Sequence, residues 1–308
     1  MDGETDRVNE KEADMMLFDS HCHLDDPSFE GDVEAAIHRA VDAGVSEMMV
    51  VGTHKDSSLK CVEIAQAVPG VYASVGLHPH DAASCDDATL EFLKRLATRP
   101  EVKAWGETGL DFNRMRSPSL VQEKWFVRQI EAARELNLPL IFHERDSKGR
   151  FLEILKSDFQ TGADFSPESR RDQGTGLNKK FGPHKKPGGV VHCFSGDRAD
   201  LEEYLTLGLH IGITGILTIK GRGAALREMA PLIPMDRILI ETDAPYLTPA
   251  PQKNKTRRNE PAFVKSVLLR LADVLNEDPE TLACATRQNA LDLFGIDLCA
   301  SQTDAPKG

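Results

Sequence analysis

No apolar run in this 308-residue sequence approaches the length needed to cross a bilayer. Its first fourteen residues, MDGETDRVNEKEAD, lack the basic and apolar regions of a secretory signal. Positive charge is in deficit too, with 37 Lys and Arg against 49 Asp and Glu and a formal net charge of −12. That balance excludes a protein that coats nucleic acid or anionic membrane through its overall field, but it leaves room for a local basic rim. Six cysteines (Cys22, Cys61, Cys85, Cys193, Cys284 and Cys299) are scattered without a CxxC pair. They read as reduced thiols, and the cytoplasm is the expected location. No GxGxxG follows the first candidate strand, so a dinucleotide-binding sheet gains no support. Internal repeats are absent.

What is present is a rhythm. Apolar strands are predicted at 15–20, 46–52, 71–76, 102–107, 138–143, 188–193, 209–214 and 237–242, with amphipathic helices such as DVEAAIHRAVDAG and QEKWFVRQIEAARELN between them. Strands alternating with helices imply βαβ units and a parallel sheet, and eight of them suggest an α/β fold of the (β/α)₈ TIM-barrel type. A doubly wound open sheet is the structural alternative. One barrel domain is expected over 15–296, with a solvated acidic leader at 1–14 and a solvated tail at 297–308. The stretch 157–187 is polar, rich in Gly and Pro and without periodicity, so it reads as a long surface insertion before strand 6. Its lysines, Lys179, Lys180, Lys185 and Lys186, fit a solvated linker better than a binding arm.

The chemistry collects where strands end. LFDSHCHLDD raises the question first: a strand through Asp19 places His21 and His23 on one face with Cys22 pointing away. A lone His-x-His is weak evidence for metal. The pattern then recurs, with His78 and His80 in GLHPHD, Glu107 in WGETGLDFNR, His143 in FHERD, His192 in VVHCFSG and Asp243 in IETDAPYL. In a parallel barrel all these strand ends open on one face, where barrel enzymes place their sites. Mixed imidazole and carboxylate without thiolate suits Zn²⁺, Mn²⁺ or Fe²⁺, with Mg²⁺ open if carboxylates and waters dominate. Four histidines and two carboxylates exceed one tetrahedral site, so two ions are expected, with Glu107 able to bridge them.

DSHCHLD, GLHPHD, GETGLDFNR, HERD, VHCFSG, GITG, PLIPMDRILIETDAPYL and RRNEP resemble the motifs of the TatD family of metal-dependent deoxyribonucleases, from about Met16 to Phe294. The resemblance implies an amidohydrolase-like (β/α)₈ barrel that hydrolyses phosphodiester bonds in DNA, as a 3′-5′ exonuclease with single-strand preference; DNA repair is among the settings such an activity serves. Carried over by position, it makes His21, His23, Glu107, His143, His192 and Asp243 ligands of two divalent ions (Mg²⁺, Mn²⁺ or Zn²⁺). Asp243 would also deprotonate the attacking water. His80 would lie near the scissile phosphate as a catalytic residue, and Arg145, Arg258 and Asn259 would border the substrate. Glu107 stands where related amidohydrolases often carry a carbamylated lysine. Some family members lack the first-strand His pair, which this chain has, and the 157–187 segment is longer than the family's usual connection.

Plainer readings stand beside these. His78 is left out of the ligand set, and Asp19 either orients one of the histidines or satisfies backbone at the strand end. Lys253 and Lys255 fit a solvated face. Arg257 and Arg258 are candidates for phosphate contacts, Arg258 the better one. Trp105 and Trp125 are expected in the core, and Phe112 is balanced between base stacking and packing. Two other functions compete: a barrel metallohydrolase of a small ester, amide or phosphoester, and a non-catalytic interaction protein on the same scaffold. Every ligand position is filled, which weighs against the second.

Overall fold

The computed structural model describes residues 15–161 and 188–298; the leader, most of the predicted insertion and the end of the tail lie outside the described residues. Eight strands run β1 (Leu17–Cys22), β2 (Val45–Val51), β3 (Val71–Val75), β4 (Val102–Asp111), β5 (Leu140–Arg145), β6 (Gly189–Val191), β7 (His210–Ile213) and β8 (Ile238–Ile240). They pair in chain order and every pair is parallel. The sheet closes where Cys22 bridges Ala244, beside the bonds from Asp243 N to His21 O and from His23 N to Ala244 O. This is the (β/α)₈ barrel; the open-sheet alternative falls. Among the described residues no helix is long and apolar enough to cross a membrane.

Helices return the chain between strands: α1 (Val33–Asp42), α2 (Lys55–Ala67), α3 (Asp87–Leu96), α4 (Ser119–Leu136), α5 (Arg150–Thr161), α6 (Arg198–Thr206), α7 (Ala224–Met229), α8 (Ala250–Lys253), α9 (Val264–Leu275) and α10 (Pro279–Phe294). Helix α5 extends through residues 157–161, which the sequence pattern assigned to the insertion; those five residues complete the last turns of a helix begun on apolar Phe151, Ile154 and Leu155. Stops and starts are local. Asp86 caps α3 by accepting from Thr89 N, and Asp197 with Asp200 forms a capping box on α6.

Two apolar layers hold the barrel. Phe18, Met49, Val51, Ala104, Ile141, Val190 and Leu239 form one cluster with Leu291 and Phe294 of α10, the helix that plugs the barrel at the strand starts. Most of the remaining buried hydrophobics pack between strands and helices. Beneath the plug Arg287 of α10 donates twice to Glu47 at 2.7 Å, so the charge buried at the foot of β2 is paired. Trp105 and Trp125 are core residues as expected, and Trp105 Nε1 donates to Gln129. With the apolar plug at the strand starts, the other mouth of the barrel is left to polar groups.

Candidate active site

The centre of that mouth is Glu107, and its position comes from an irregularity in β4. Pairing with β5 runs Trp105 to Leu140 and then jumps to Thr108 with Phe142, so Gly106 and Glu107 bulge out of register. The flanking glycines make this possible. Gly109, at φ +149°, lies so close to β5 that a Cβ there would fall 1.9 Å from the carbonyl oxygen of His143. The GETG stretch therefore reads as backbone geometry that pushes one carboxylate to the barrel axis.

Glu107 divides its oxygens between two groups of rings. Oε2 lies 3.4 Å from His21 Nε2 and 3.8 Å from His23 Nε2; Asp243 Oδ1 faces the same two nitrogens at 3.9 and 3.4 Å. His192 Nε2 reaches Asp243 Oδ1 at 3.7 Å, and its ring stacks on His21 at 3.5 Å. Oε1 faces the other way, 2.8 Å from His143 Nδ1. His21, His23, Glu107 and His192 are buried, and Asp243 and His143 are half-buried toward the groove. All six sequence-predicted ligands thus converge on one centre.

The donor set fits divalent ions. His23 Nδ1 sits 3.0 Å from Val51 O, a pure acceptor, so Nδ1 carries the hydrogen and Nε2 is the nitrogen aimed at the cluster. His21 Nε2 and His23 Nε2 lie 3.1 Å apart, two ring nitrogens converging on one point. The buried Nδ1 of His21 has no hydrogen-bond partner in the protein. Cys193 neighbours His192 and Asp243, but burial first, then Asp243 and Glu241, push its thiol well above the usual range; the set is nitrogen and oxygen. His78 stands beside this set. Its Nδ1 accepts from His80 N at 3.1 Å, and burial and the neighbouring His143 lower its pKa well below the usual range. Its Nε2 lies 3.3 Å from His143 Nδ1 and 3.6 Å from Glu107 Oε1, close enough for these three residues to share an ion.

Burial alone would raise the Glu107 carboxyl, yet His78, His143 and His21 overcome it and hold the group well below the usual carboxylate range. Asp243 is likewise lowered, by His23 and His192 against its burial. In return His23 is raised to about 10 by Asp243 and Glu107, and His143 to about 9 by Asp111 and Glu107, both against desolvation.

Three participants were missed from sequence. Asp111 accepts from His80 Nε2 at 2.7 Å and faces His143 Nε2 at 3.4 Å, tying a predicted catalytic residue to a predicted ligand. Glu241, fully buried, stands 2.9 Å from His192 Nδ1, off the line of a hydrogen bond, and accepts from Cys193 N at 2.5 Å. Carboxylates behind ligand rings fix their orientation. The signal was available: an acidic residue inside ILIET or GLD must find a partner once buried. The third is Tyr246, exposed on the loop after β8.

Two open alternatives are decided, at Asp19 and Phe112, each for the plainer reading, and two expectations, at Arg258 and Asn259, are corrected. Asp19 does not touch either histidine ring; it accepts from Thr242 N and Oγ1, at 2.8 and 2.6 Å, and joins β1 to β8. Arg258 does not line the groove. Its guanidinium binds Asp32 and Glu260 and stacks over Phe29 at 4.7 Å, so its donors are used within the fold. Asn259 is fully buried, donating to Thr242 O and Tyr246 O and accepting from Glu260 N, which leaves no surface for a substrate. Phe112 packs against the core, half-buried.

His80 and Arg145 do line the open groove of about 1630 Å³ above Glu107. Arg114, Arg116, Lys148 and Arg222 join Arg145 on the rim beyond β4, β5 and β7, and among the described residues none of these five cations has an ion-pair partner. Carboxylates line the groove too, among them Asp25, Asp26, Asp56 and Asp81 beyond β1 to β3, together with Lys60.

Comparison with known proteins agrees with this geometry. Residues 18–295 match the family described as TatD related DNase. A "3′-5′ ssDNA/RNA exonuclease TatD" of Citrobacter rodentium is 40% identical over 284 residues, 92% of this chain and 99% of that one. The protein of the same name from Escherichia coli K12 is 38% identical over 282 residues, 91% and 99% of the two chains. The crystal structure of a TatD homolog from Escherichia coli K12 superposes with a TM-score of 0.77 at 28% identity, covering 91% of this chain and 98% of that one. The chain belongs to the TatD related DNase family of metal-dependent nucleases, hydrolases of phosphodiester bonds.

Proposed function

We propose that the protein is a two-metal 3′-5′ exonuclease acting on single-stranded DNA, with RNA a second substrate, and that the barrel of residues 15–296 is the whole functional unit. The observation that carries this is the division of Glu107: one oxygen toward His21 and His23, the other toward His143. Two divalent ions would be held by His21, His23, His143, His192 and Asp243 around Glu107, whose two oxygens face different rings. The relatives' names support the polarity and the strand preference. A cytoplasmic location fits free thiols at Cys22, Cys61, Cys85, Cys193 and Cys284.

Bound divalent ions supply Lewis acidity, acidifying the attacking water and balancing phosphate charge. The chain's own groups do the rest. Asp243, held ionised and partly open to the groove, accepts the proton of the water that attacks phosphorus. The P–O3′ bond breaks, releasing a nucleoside 5′-phosphate and a shortened strand. His80, whose Nε2 is gripped by Asp111 at 2.7 Å, would return a proton to the leaving 3′ oxygen. Arg145 and its rim neighbours hold the phosphates of the remaining strand, since guanidinium pairs with phosphate oxygens in bidentate fashion.

The test is digestion of 5′-labelled single strands by chelator-stripped protein with Mg²⁺, Mn²⁺ or Zn²⁺ added back, alongside a panel of small esters and amides. A ladder shortening from the 3′ end, seen only with added ions, is expected. Turnover of the small substrates with no strand cleavage under any ion would defeat the reading.

A further inference from the structure

Tyr246 is, among the described residues, the one aromatic side chain left largely exposed, at 52%. It is not a loose surface residue. Its hydroxyl donates to Asp26 at 3.0 Å, and its ring meets the His23 ring edge-on at 6.0 Å between centroids. Its backbone is held at both ends of the peptide: Tyr246 N donates to Asp243 O at 2.8 Å, and Tyr246 O accepts from the buried Asn259 amide at 2.6 Å. The next residue, Leu247, adopts φ +54°, a left-handed conformation costly for leucine. A loop built this tightly fixes an aromatic face in the groove wall beside a predicted metal ligand.

Packing does not account for it, because a structural aromatic at this distance from the core would turn inward and bury. Electrostatics does not either, since the charged group it touches, Asp26, is a carboxylate that repels phosphate. A flat, neutral, sequence-tolerant ligand suits both conditions. We infer that Tyr246 is the stacking platform for the base of the 3′-terminal nucleotide, the one released, so that the groove beside Asp26 admits a single nucleotide while the phosphates behind it lie along Arg145 and Lys148. This rests on the exonuclease reading above and adds the base subsite and the direction of the strand.

The experiment compares kcat/KM for two strands identical except that one ends in an abasic 3′ nucleotide, using metal-loaded full-length protein. Wild type should prefer the base-bearing end by about 5- to 150-fold, the weight of one base on one aromatic face. Tyr246→Ala should bring that ratio close to one, through KM more than kcat, with unchanged metal stoichiometry. Tyr246→Phe keeps the ring but not the bond to Asp26, and should preserve the ratio. A Tyr246→Ala protein that keeps the wild-type ratio, or a wild type indifferent to the missing base, overturns the platform while leaving the exonuclease intact. Failure of wild type to shorten either strand overturns both.

Discussion

Loading this protein with divalent ions is expected to expel protons, and the number follows from how the ion-free protein holds its rings. Against burial, Asp243 and Glu107 lift His23 to about 10, while Asp111 and Glu107 lift His143 to about 9; His192 is raised as well, mainly by Glu241. His21 goes the other way, lowered by burial and by His192. Glu107 and Asp243 stay ionised because the surrounding histidines outweigh desolvation. Near pH 7.5, then, the carboxylates and His21 have nothing to lose, whereas His23 and His143 carry protons that a ligating nitrogen must give up. At least two protons should leave, and each makes binding tenfold weaker per unit fall in pH. The affinity should therefore drop about 100-fold per pH unit between roughly pH 6.5 and 8.5. Titration calorimetry with Mn²⁺ or Zn²⁺ in buffers of different ionisation enthalpy counts the protons directly. Release of less than one proton at pH 7.5, or an affinity flat with pH, would refute the charge pattern described for the centre.

The same shifts set the stability of the metal-free protein. His23 and His143 have folded values above the ordinary 6.5, so their contribution is complete below about pH 6.5 and is lost as pH rises through 9 and 10. Glu107 and Asp243 are depressed, and their contribution is lost as pH falls below about 4. His21 and His78, lowered mainly by burial, lose theirs as pH falls below about 6.5. Denaturant midpoints of stripped protein should therefore peak near pH 6.5, and added metal should move the maximum upward.

Glu107→Gln keeps the volume but removes the shared charge, so metal stoichiometry measured by emission spectroscopy should fall and hydrolysis should collapse. Asp243→Asn should cost at least about 10²–10⁴-fold in kcat, and the double variant should be scarcely worse than either single one if both act on one water. Arg145→Ala should weaken strand binding and flatten the log–log salt dependence by about 0.7, the increment of one phosphate contact on a single strand; Arg258→Ala should leave that slope unchanged and lower the melting temperature instead. Asn259→Ala leaves the buried carbonyls of Thr242 and Tyr246 without their donor, and denaturant titration should register a loss of about 1–3 kcal/mol or more.

The strands were legible because each is a short apolar run closed by a polar residue, and their order in the sheet follows from βαβ handedness. Boundaries were less so. β4 runs on to Asp111, beyond the expected 107, because the glycines that break the apolar pattern are part of the bulged strand itself. The ligands could be read since strand ends of a parallel barrel share a face; no distance was needed. What lay beyond the first ring of residues was hidden. Asp111 reaches His80 and His143 across strands, and Glu241 reaches His192, contacts that no sequence spacing encodes. RRNEP was misread for the reverse reason: nearness to the site along the chain does not say which way a side chain points, and Arg258 turns to Asp32 while Asn259 turns inward.

That inward turn connects Asn259 to catalysis without contact with substrate. Left-handed backbone at non-glycine residues gathers around the groove, at Asp146, Lys148, Cys193, Asp243 and Leu247, whereas Asn137 and Asn276 merely end helices. Each such residue costs about 1 kcal/mol or more and persists only where its neighbours over-determine it. For Asp243 the neighbours can be named. Its N–H is fixed to His21 O, its carbonyl receives Tyr246 N, and the carbonyls of Thr242 before it and Tyr246 after it are both held by the Asn259 amide. A carboxylate that must face three histidines and a water at once tolerates little play. By holding the carbonyls on either side of it, Asn259 fixes the one loop on which the proposed base and the proposed stacking platform both sit.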